Sequence, residues 1–249
     1  QNASIDAVGV SVIVPKHHAI TMDALEAGKH VYTEWPLGTN PAEAKQMADL
    51  ARLKGVRTIV GLQARCSPLF LTLKDLISNG YVGEVLSCQL TQFGSGVLSR
   101  TSDRTWQGDV KQGANTLTIS FGHVIDSMCM CVGEFNNLSA VMDTRVKQWL
   151  ETDTCRTGDV TSPDNVLVSG ILENGALASV HVASIPHHGS EYRFEVYGRD
   201  GTLMVESHEH PQLNRTRLMG GTGFDTALHE LPVDTQHRWA PNSVPEGPP

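Results

Sequence analysis

Residues 6–62 read DAVGVSVIVPKHHAITMDALEAGKHVYTEWPLGTNPAEAKQMADLARLKGVRTIVGL, and this stretch decides the fold. Its opening, Asp6 to Val14, is β-branched and apolar throughout, which predicts a strand buried on both faces of a parallel sheet and stopped by Pro15. From His17 to Ala27, Ile20, Ala24, Leu25 and Ala27 recur at helical spacing, and Gly28 supplies the stop. His30 to Trp35 is a short strand closed by Pro36. Asn40-Pro41 starts a second helix, Ala42 to Lys54, with Ala44, Met47, Ala48 and Ala51 on one face and Gly55 as its cap. Val56 to Leu62 is a third strand. A β-α-β-α-β unit with short connections specifies a doubly wound parallel sheet with right-handed crossovers.

Working outward, the pattern changes after about Ala64. A helix over Pro68 to Asn79 leads through Gly80 and Gly83 into a strand, Glu84 to Phe93. A polar loop rich in Gly, Ser and Thr then runs to about Gly113. A helix near Leu117 to Val132 precedes strand-like runs at Asn137 to Val146, Asn165 to Leu172, Ala176 to Ile185 and Tyr192 to Tyr197. Glu173-Asn174-Gly175 and Gly198-Arg199-Asp200-Gly201 read as hairpin turns, since Asn-Gly and Asp-Gly tolerate the positive φ of tight turns. The fold class is therefore α/β plus α+β. A partial doubly wound sheet is followed by a largely antiparallel open sheet with helices on one face and, over 241–249, a Pro/Gly-rich tail.

Composition narrows the function. The 249 residues are 40% hydrophobic and 18% charged, enough for a substantial core, and the net charge of −8 lacks the Lys/Arg excess that direct nucleic-acid binding requires. The apolar run Val8 to Val14 is far below the roughly 20 residues that cross a bilayer, and no charged segment of signal-peptide type precedes it. The five cysteines are odd in number and sit mostly in apolar segments, as reduced core thiols do, so a cytoplasmic protein without membrane contact is expected. The chain opens on Gln1 rather than Met, so it is read as processed or incomplete. No metal is expected: His208-Glu209-His210 offers two imidazoles but no third ligand at motif spacing, and Cys129 and Cys131 point apart on a helix. Neither a G-x-S-x-G context nor a Walker-type loop is present.

The motifs resemble a known family. ALEAGKHV followed by a Glu-x-Pro-Leu turn, GANTLTISFGHVID, SPDNVLVSGILENGALASVHV and EVYGRDGTLMV are similar to segments of the Gfo/Idh/MocA oxidoreductases. EWPLG, GLQAR and SFGHVID resemble the branch of the yeast galactose-regulon repressor and its fungal relatives. The resemblance implies that residues 1–64 are the second half of a Rossmann nucleotide-binding domain and that 65–240 form the substrate and oligomerisation domain. It also implies NAD or NADP as cofactor and a sugar-like or polyol substrate, while an open sheet with helices on only one face leaves the other needing a partner and predicts a homodimer through that sheet. The family's G-x-G-x-x-G turn, whose backbone N–H groups meet the pyrophosphate at a helix N-terminus, should lie upstream of Gln1. Without it the chain is expected to bind NAD(P) weakly or not at all.

Site residues follow from the same resemblance. Glu34-Trp35-Pro36 occupies the family's Glu-Lys-Pro turn, and Trp35 replaces a cation with a neutral N–H donor; an aromatic plug at a strand end is the alternative. His123 stands at the family's catalytic His, with near-neutral basicity suited to taking a hydroxyl proton. Ile119 stands where many members have an Asp, and Asp126, on the same helix face, is expected to substitute in part. Pro15, His17 and Gln63 lie at strand ends where open α/β sheets bind ligands, and count with Glu34, Trp35 and Pro36 as cofactor positions. Arg65, Arg104, Trp106 and Asn115 are the substrate positions, with Arg100 in the same long loop. Three function classes stay open: an NAD(P)-dependent dehydrogenase, a regulator that senses a dinucleotide or protein partner without turnover, and a repurposed cofactor-independent isomerase or lyase.

Overall fold

The computed structural model describes residues 4–208, 210–211 and 216–239. The expected tail at 241–249 and the middle residue of His208-Glu209-His210 lie outside them. Strand β1 (Ala7–Val10), helix α1 (His17–Glu26), β2 (His30–Glu34), α2 (Pro41–Lys54) and β3 (Thr58–Gly61) build a parallel sheet of order β1-β2-β3. Asn40 caps α2 by accepting from Glu43 N, Pro41 opens it, and Gly55 ends it in the left-handed region at φ 65°. Both helices cover one face, enclosing Val10, Leu25, Val31, Met47, Leu50 and Ala51.

That one-sided cover corrects the reading of the first strand. β1 pairs with β2 over only Ala7↔His30 to Val10↔Thr33. Val12 and Ile13 are exposed and Val14–Lys16 is a 3-10 turn with Pro15 inside it. An apolar run extends a strand only where a partner strand and two packed faces continue beside it. Here neither does, and on β3 Ile59 likewise faces out at 64% exposure.

The rest of the chain supplies α3 (Pro68–Ser78), β4 (Val85–Ser95), β5 (Ser99–Arg100), α4 (Gly122–Val132), β6 (Phe135–Asp143), β7 (Gln148–Glu151), β8 (Thr157–Asp159), β9 (Asn165–Leu172), β10 (Leu177–Ile185), β11 (Glu191–Gly198), β12 (Gly201–Ser207), β13 (Thr216–Thr222) and β14 (His229–Glu230). Among the described residues, eight strands form one sheet of order β14-β13-β12-β11-β4-β10-β9-β6. Every neighbour pair is antiparallel except β4 with β10. The polar loop expected as far as Gly113 is instead partly ordered: it holds β5, which joins β7 and β8 in a small sheet, and two 3-10 turns, Ser102–Gly108 and Val110–Gln112.

Helices α3 and α4 lie on one face of the large sheet. Strand alternation sends Ala178, Val180 and Val182 of β10 toward them, with Leu90 of β4 and Phe194 and Val196 of β11. Phe70, Leu73, Val124 and Met128 come down from the helices, and each fully buried large side chain contributes about 1.5–3 kcal/mol. Among the described residues the opposite face is open. Registers align Val141, Leu167 and His181 in one row and Ile171, Leu177, Ser87 and Tyr197 in another; Val141, Leu167, Ile171, Leu177 and Tyr197 are all exposed. Of the cysteines, Cys88 and Cys131 are buried as expected, whereas Cys66 and Cys155 are exposed. No described helix is long and apolar enough to cross a membrane.

Candidate functional site

The site is built around the start of α4. Asn115 begins this segment with a reciprocal cap: its Oδ1 accepts from Leu117 N and Thr118 N, and its own N–H donates to Thr118 Oγ1 at 3.0 Å. Thr116–Phe121 then winds as a π turn before α4 proper starts at Gly122. Such widened turns hold an extra residue and occur often at functional positions. On α4, Val124, Met128, Cys131 and Val132 make the core stripe, and His123 and Ser127 share its flank, so His123 is carried inward to 7% exposure.

The His123 imidazole is held neutral. Burial pulls its pKa below the ordinary value, the nearby His210 adds to this, and Asp126 opposes it more weakly. Nδ1 of His123 is buried with no hydrogen-bond partner, and so is Oε1 of Gln92, a side chain of β4 at 5% exposure. The other end of that carboxamide, Nε2, lies 2.8 Å from His210 Nδ1. With Nε2 donating, His210 carries its proton on Nε2. Two polar atoms without a protein partner in one buried region cost stability unless a ligand or ordered water supplies the missing bonds.

A cavity of about 280 Å³ adjoins the π turn and is lined by Ile119, Ser120, Asn115, Arg100, Arg104 and His210, among others. This is near the small end of the roughly 300–1,000 Å³ typical of ligand pockets. Trp149 also lines it, buried, with its Nε1 unpartnered and its ring 4.7 Å from Arg100 Cζ.

Trp35 enters from the first sheet. Its Nε1 donates to Thr118 O at 2.6 Å, which occupies its single donor on the backbone of the π turn. The ring lies so close to Gly122 that a Cβ there would fall 2.4 Å from Nε1, so only glycine admits the indole. A second close approach stands nearby: Gly113, at φ 68°, would put a Cβ 2.4 Å from Thr39 Cα.

The remaining sequence candidates divide. Glu34 ends β2, and Pro15, Trp35, Pro36 and Gln63 follow the carboxyl ends of the three parallel strands. His17, 1% exposed, faces Pro36 O at 2.8 Å through Nδ1 and Val12 O at 2.9 Å through Nε2. One ring N–H donates to one of these carbonyls while the other nitrogen faces the second, so the buried ring is packed between two strand-end turns with neither nitrogen open to a ligand, against its expectation as a cofactor contact. Arg65 and Asp126 satisfy each other: Arg65 Nε lies 3.0 and 2.9 Å from the two carboxylate oxygens, and Nη2 lies 2.6 Å from Oδ1. Neither lines the cavity, so Asp126 is a partner of Arg65 before it is a partner of His123. Arg104 and Asn115 line the cavity and Trp106 does not.

Sequence reading missed Gln92, His210 and Trp149 as site residues. Gln92 breaks the apolar inner face of β4 between Leu90 and a buried sheet neighbour, Val182; a lone amide on a core face was the available signal. Among the described residues no cluster of His, Cys, Asp and Glu could hold a metal. For a dinucleotide, Pro15, Pro36 and Gln63 offer apolar surface and a carboxamide at the strand ends, while the Trp35 N–H is already committed to Thr118 O. No described residue forms a glycine-rich turn against a helix N-terminus for the pyrophosphate.

Known proteins share this architecture. A family model for the Gal80p C-terminal domain matches residues 68–207, and one for an oxidoreductase family with an NAD-binding Rossmann fold matches residues 1–62. The dehydrogenase aclE of Aspergillus oryzae is 35% identical over 212 residues, covering 83% of this chain and 58% of its own. The galactose/lactose metabolism regulatory protein GAL80 of Kluyveromyces lactis is 30% identical, covering 83% and 49%. Levoglucosan dehydrogenase of Pseudarthrobacter phenanthrenivorans is also 30% identical, covering 82% and 56%. The solved Gal80p of Kluyveromyces lactis superposes with a TM-score of 0.81 at 25% identity, covering 93% of this chain and 61% of that one. A levoglucosan dehydrogenase in complex with NADH and levoglucosan gives 0.79 at 25%, covering 93% and 62%. The chain thus spans about half to three fifths of the length of these relatives. With both halves matched and the fold in agreement, the chain belongs to the Gfo/Idh/MocA oxidoreductase family, on its Gal80p-like branch.

Proposed function

We propose that this chain carries the substrate pocket and acid–base group of an NAD(P)-dependent oxidoreductase acting on a secondary alcohol or carbonyl of a sugar or polyol. The observation that carries the reading is His123: buried, neutral, with an unpartnered ring nitrogen beside His210 and Gln92. An imidazole in that state accepts a hydroxyl proton as the C–H bond of the same carbon breaks, and returns it in the reverse direction. Gln92 orients His210, and the two fix the polar edge against which a substrate hydroxyl is held. NAD(P), when bound, supplies the hydride acceptor; Pro15, Glu34, Trp35, Pro36 and Gln63 are the residues that would hold its nicotinamide end. Measuring cofactor reduction across a sugar and polyol panel tests this. Turnover that falls at least a hundredfold in His123→Ala supports the assignment, and turnover that is unchanged in that variant overturns it.

One observation favours a second reading, a regulator without turnover. Trp35 gives its only N–H to Thr118 O, so no cationic donor from that turn faces a developing alkoxide. Ligand-induced thermal stabilisation with no cofactor reduction on any panel member would select it. Under either reading we propose that a second copy covers the open sheet face, since the rows Val141–Leu167 and Ile171–Leu177–Tyr197 expose apolar side chains on four strands.

A further inference from the structure

The cavity beside the π turn sets two guanidiniums and an indole N–H against one carboxylate, with the neutral side chains of Gln107 and Ser120 beside them. Its one carboxylate, Asp164, is 4% exposed and already saturated: it accepts from Arg145 N, Val146 N and Asn165 Nδ2 at 2.7–2.9 Å. Thr116 and Ser184 hydrogen-bond to each other, and Ser162 donates to Gln107 O. Against these stand two guanidiniums. Arg100 spends Nη1 on Gly96 O and Ser99 O, while Arg104 has no side-chain partner, and neither meets a carboxylate within ion-pair distance among the described residues. Partial burial first, and the like charge of Arg104 second, press the pKa of Arg100 below the ordinary value. The indole N–H of Trp149, 6% exposed, is a further donor with no acceptor. A positive, donor-rich pocket on a chain of net charge −8 is a local arrangement rather than a consequence of composition.

We propose that this cavity takes the carboxylate of a small polyhydroxylated acid, held by Arg104 and the remaining N–H groups of Arg100, with Trp149 Nε1 donating to one of its oxygens. Guanidinium groups match planar carboxylates, and Arg100 is already oriented by its stacking on Trp149. The polyol end of such a ligand then lies toward His210 and the His123 turn, so the inference rests on the reading of that turn as the reaction centre.

Isothermal titration of the 249-residue chain with D-glucuronate, D-glucose and glucose 6-phosphate, and with the matching galacto set, tests it. The acid is expected to bind at least tenfold more tightly than its neutral partner and to weaken as salt rises. Arg104→Gln should erase that preference by weakening the acid, and Arg104→Lys, which keeps the charge, should retain part of it; Arg104 is exposed and its replacement leaves the core intact. A preference for acid that survives Arg104→Gln, or a phosphate ester that binds tighter than the carboxylate, overturns the proposal. Neutral sugar binding as tightly as the acid, and weakened by His123→Ala, overturns it while leaving the site reading standing. Failure of every sugar to bind overturns both.

Discussion

A buried imidazole with a bare ring nitrogen has a definite pH signature. His123 is held below its ordinary pKa by desolvation first and by His210 second. The folded state therefore binds its proton less readily than the unfolded chain, whose histidine titrates near about 6.5. Above that value both states are neutral and His123 contributes nothing to pH dependence. As pH falls from about 6.5 through the lowered folded value, the unfolded state gains a proton first and stability is lost. Thermal melts between pH 7.5 and 5 should show this decline, and His123→Gln should flatten part of it; identical slopes would show that His123 does not titrate as its surroundings imply. If turnover is found, kcat/KM should stay level down to a pH below 6.5, because the base form persists there.

At the scale of elements, the contact between Trp35 and the π turn joins the first sheet to the helix that carries His123. Trp35→Phe removes the 2.6 Å bond to Thr118 O and should cost about 1 kcal/mol in urea unfolding. Gly122→Ala forces a Cβ into the indole and should cost about 1–3 kcal/mol, with any activity falling as well. A variant Gly122→Ala as stable as wild type would mean the indole moves aside freely. These elements also show what could be read in advance. β9 matched its expected span because its alternation of buried and exposed residues is the signature of a strand covered on one face. The first strand was overextended because an apolar run reports composition and says nothing of how many neighbours flank it. The π turn left no mark, since one extra residue in a helix changes neither residue type nor hydrophobic spacing enough to see. The strands β5, β7 and β8 are two to four residues long, too short for a period to register. His123 was legible through its motif, whereas Trp149 and His210 are distant in sequence and line the cavity only in the folded chain, with Gln92 joined to them through His210.

For the whole molecule, the decisive asymmetry is that the eight-stranded sheet is covered on one side only. If a second copy covers the other side, Leu167→Lys, placed beside Val141 and His181, should shift light-scattering mass from dimer to monomer without lowering helix or strand content. A wild-type chain that is monomeric at tens of micromolar would refute that arrangement. The same variant should leave His123 chemistry unchanged, because Leu167 faces away from the helices while Val166 and Val168 face them.

The extra residue in Thr116–Phe121 is slack stored in the chain. A π turn holds one residue more than a regular turn over the same stretch, so a one-residue deletion there would let the segment rewind while Val124, Met128 and His123 keep their phase on the sheet. Such a deletion should leave the fold standing and act on what leans against the turn, the Asn115 cap and the Thr118 carbonyl that receives Trp35. A chain that no longer folds would show instead that the turn tolerates no change of length.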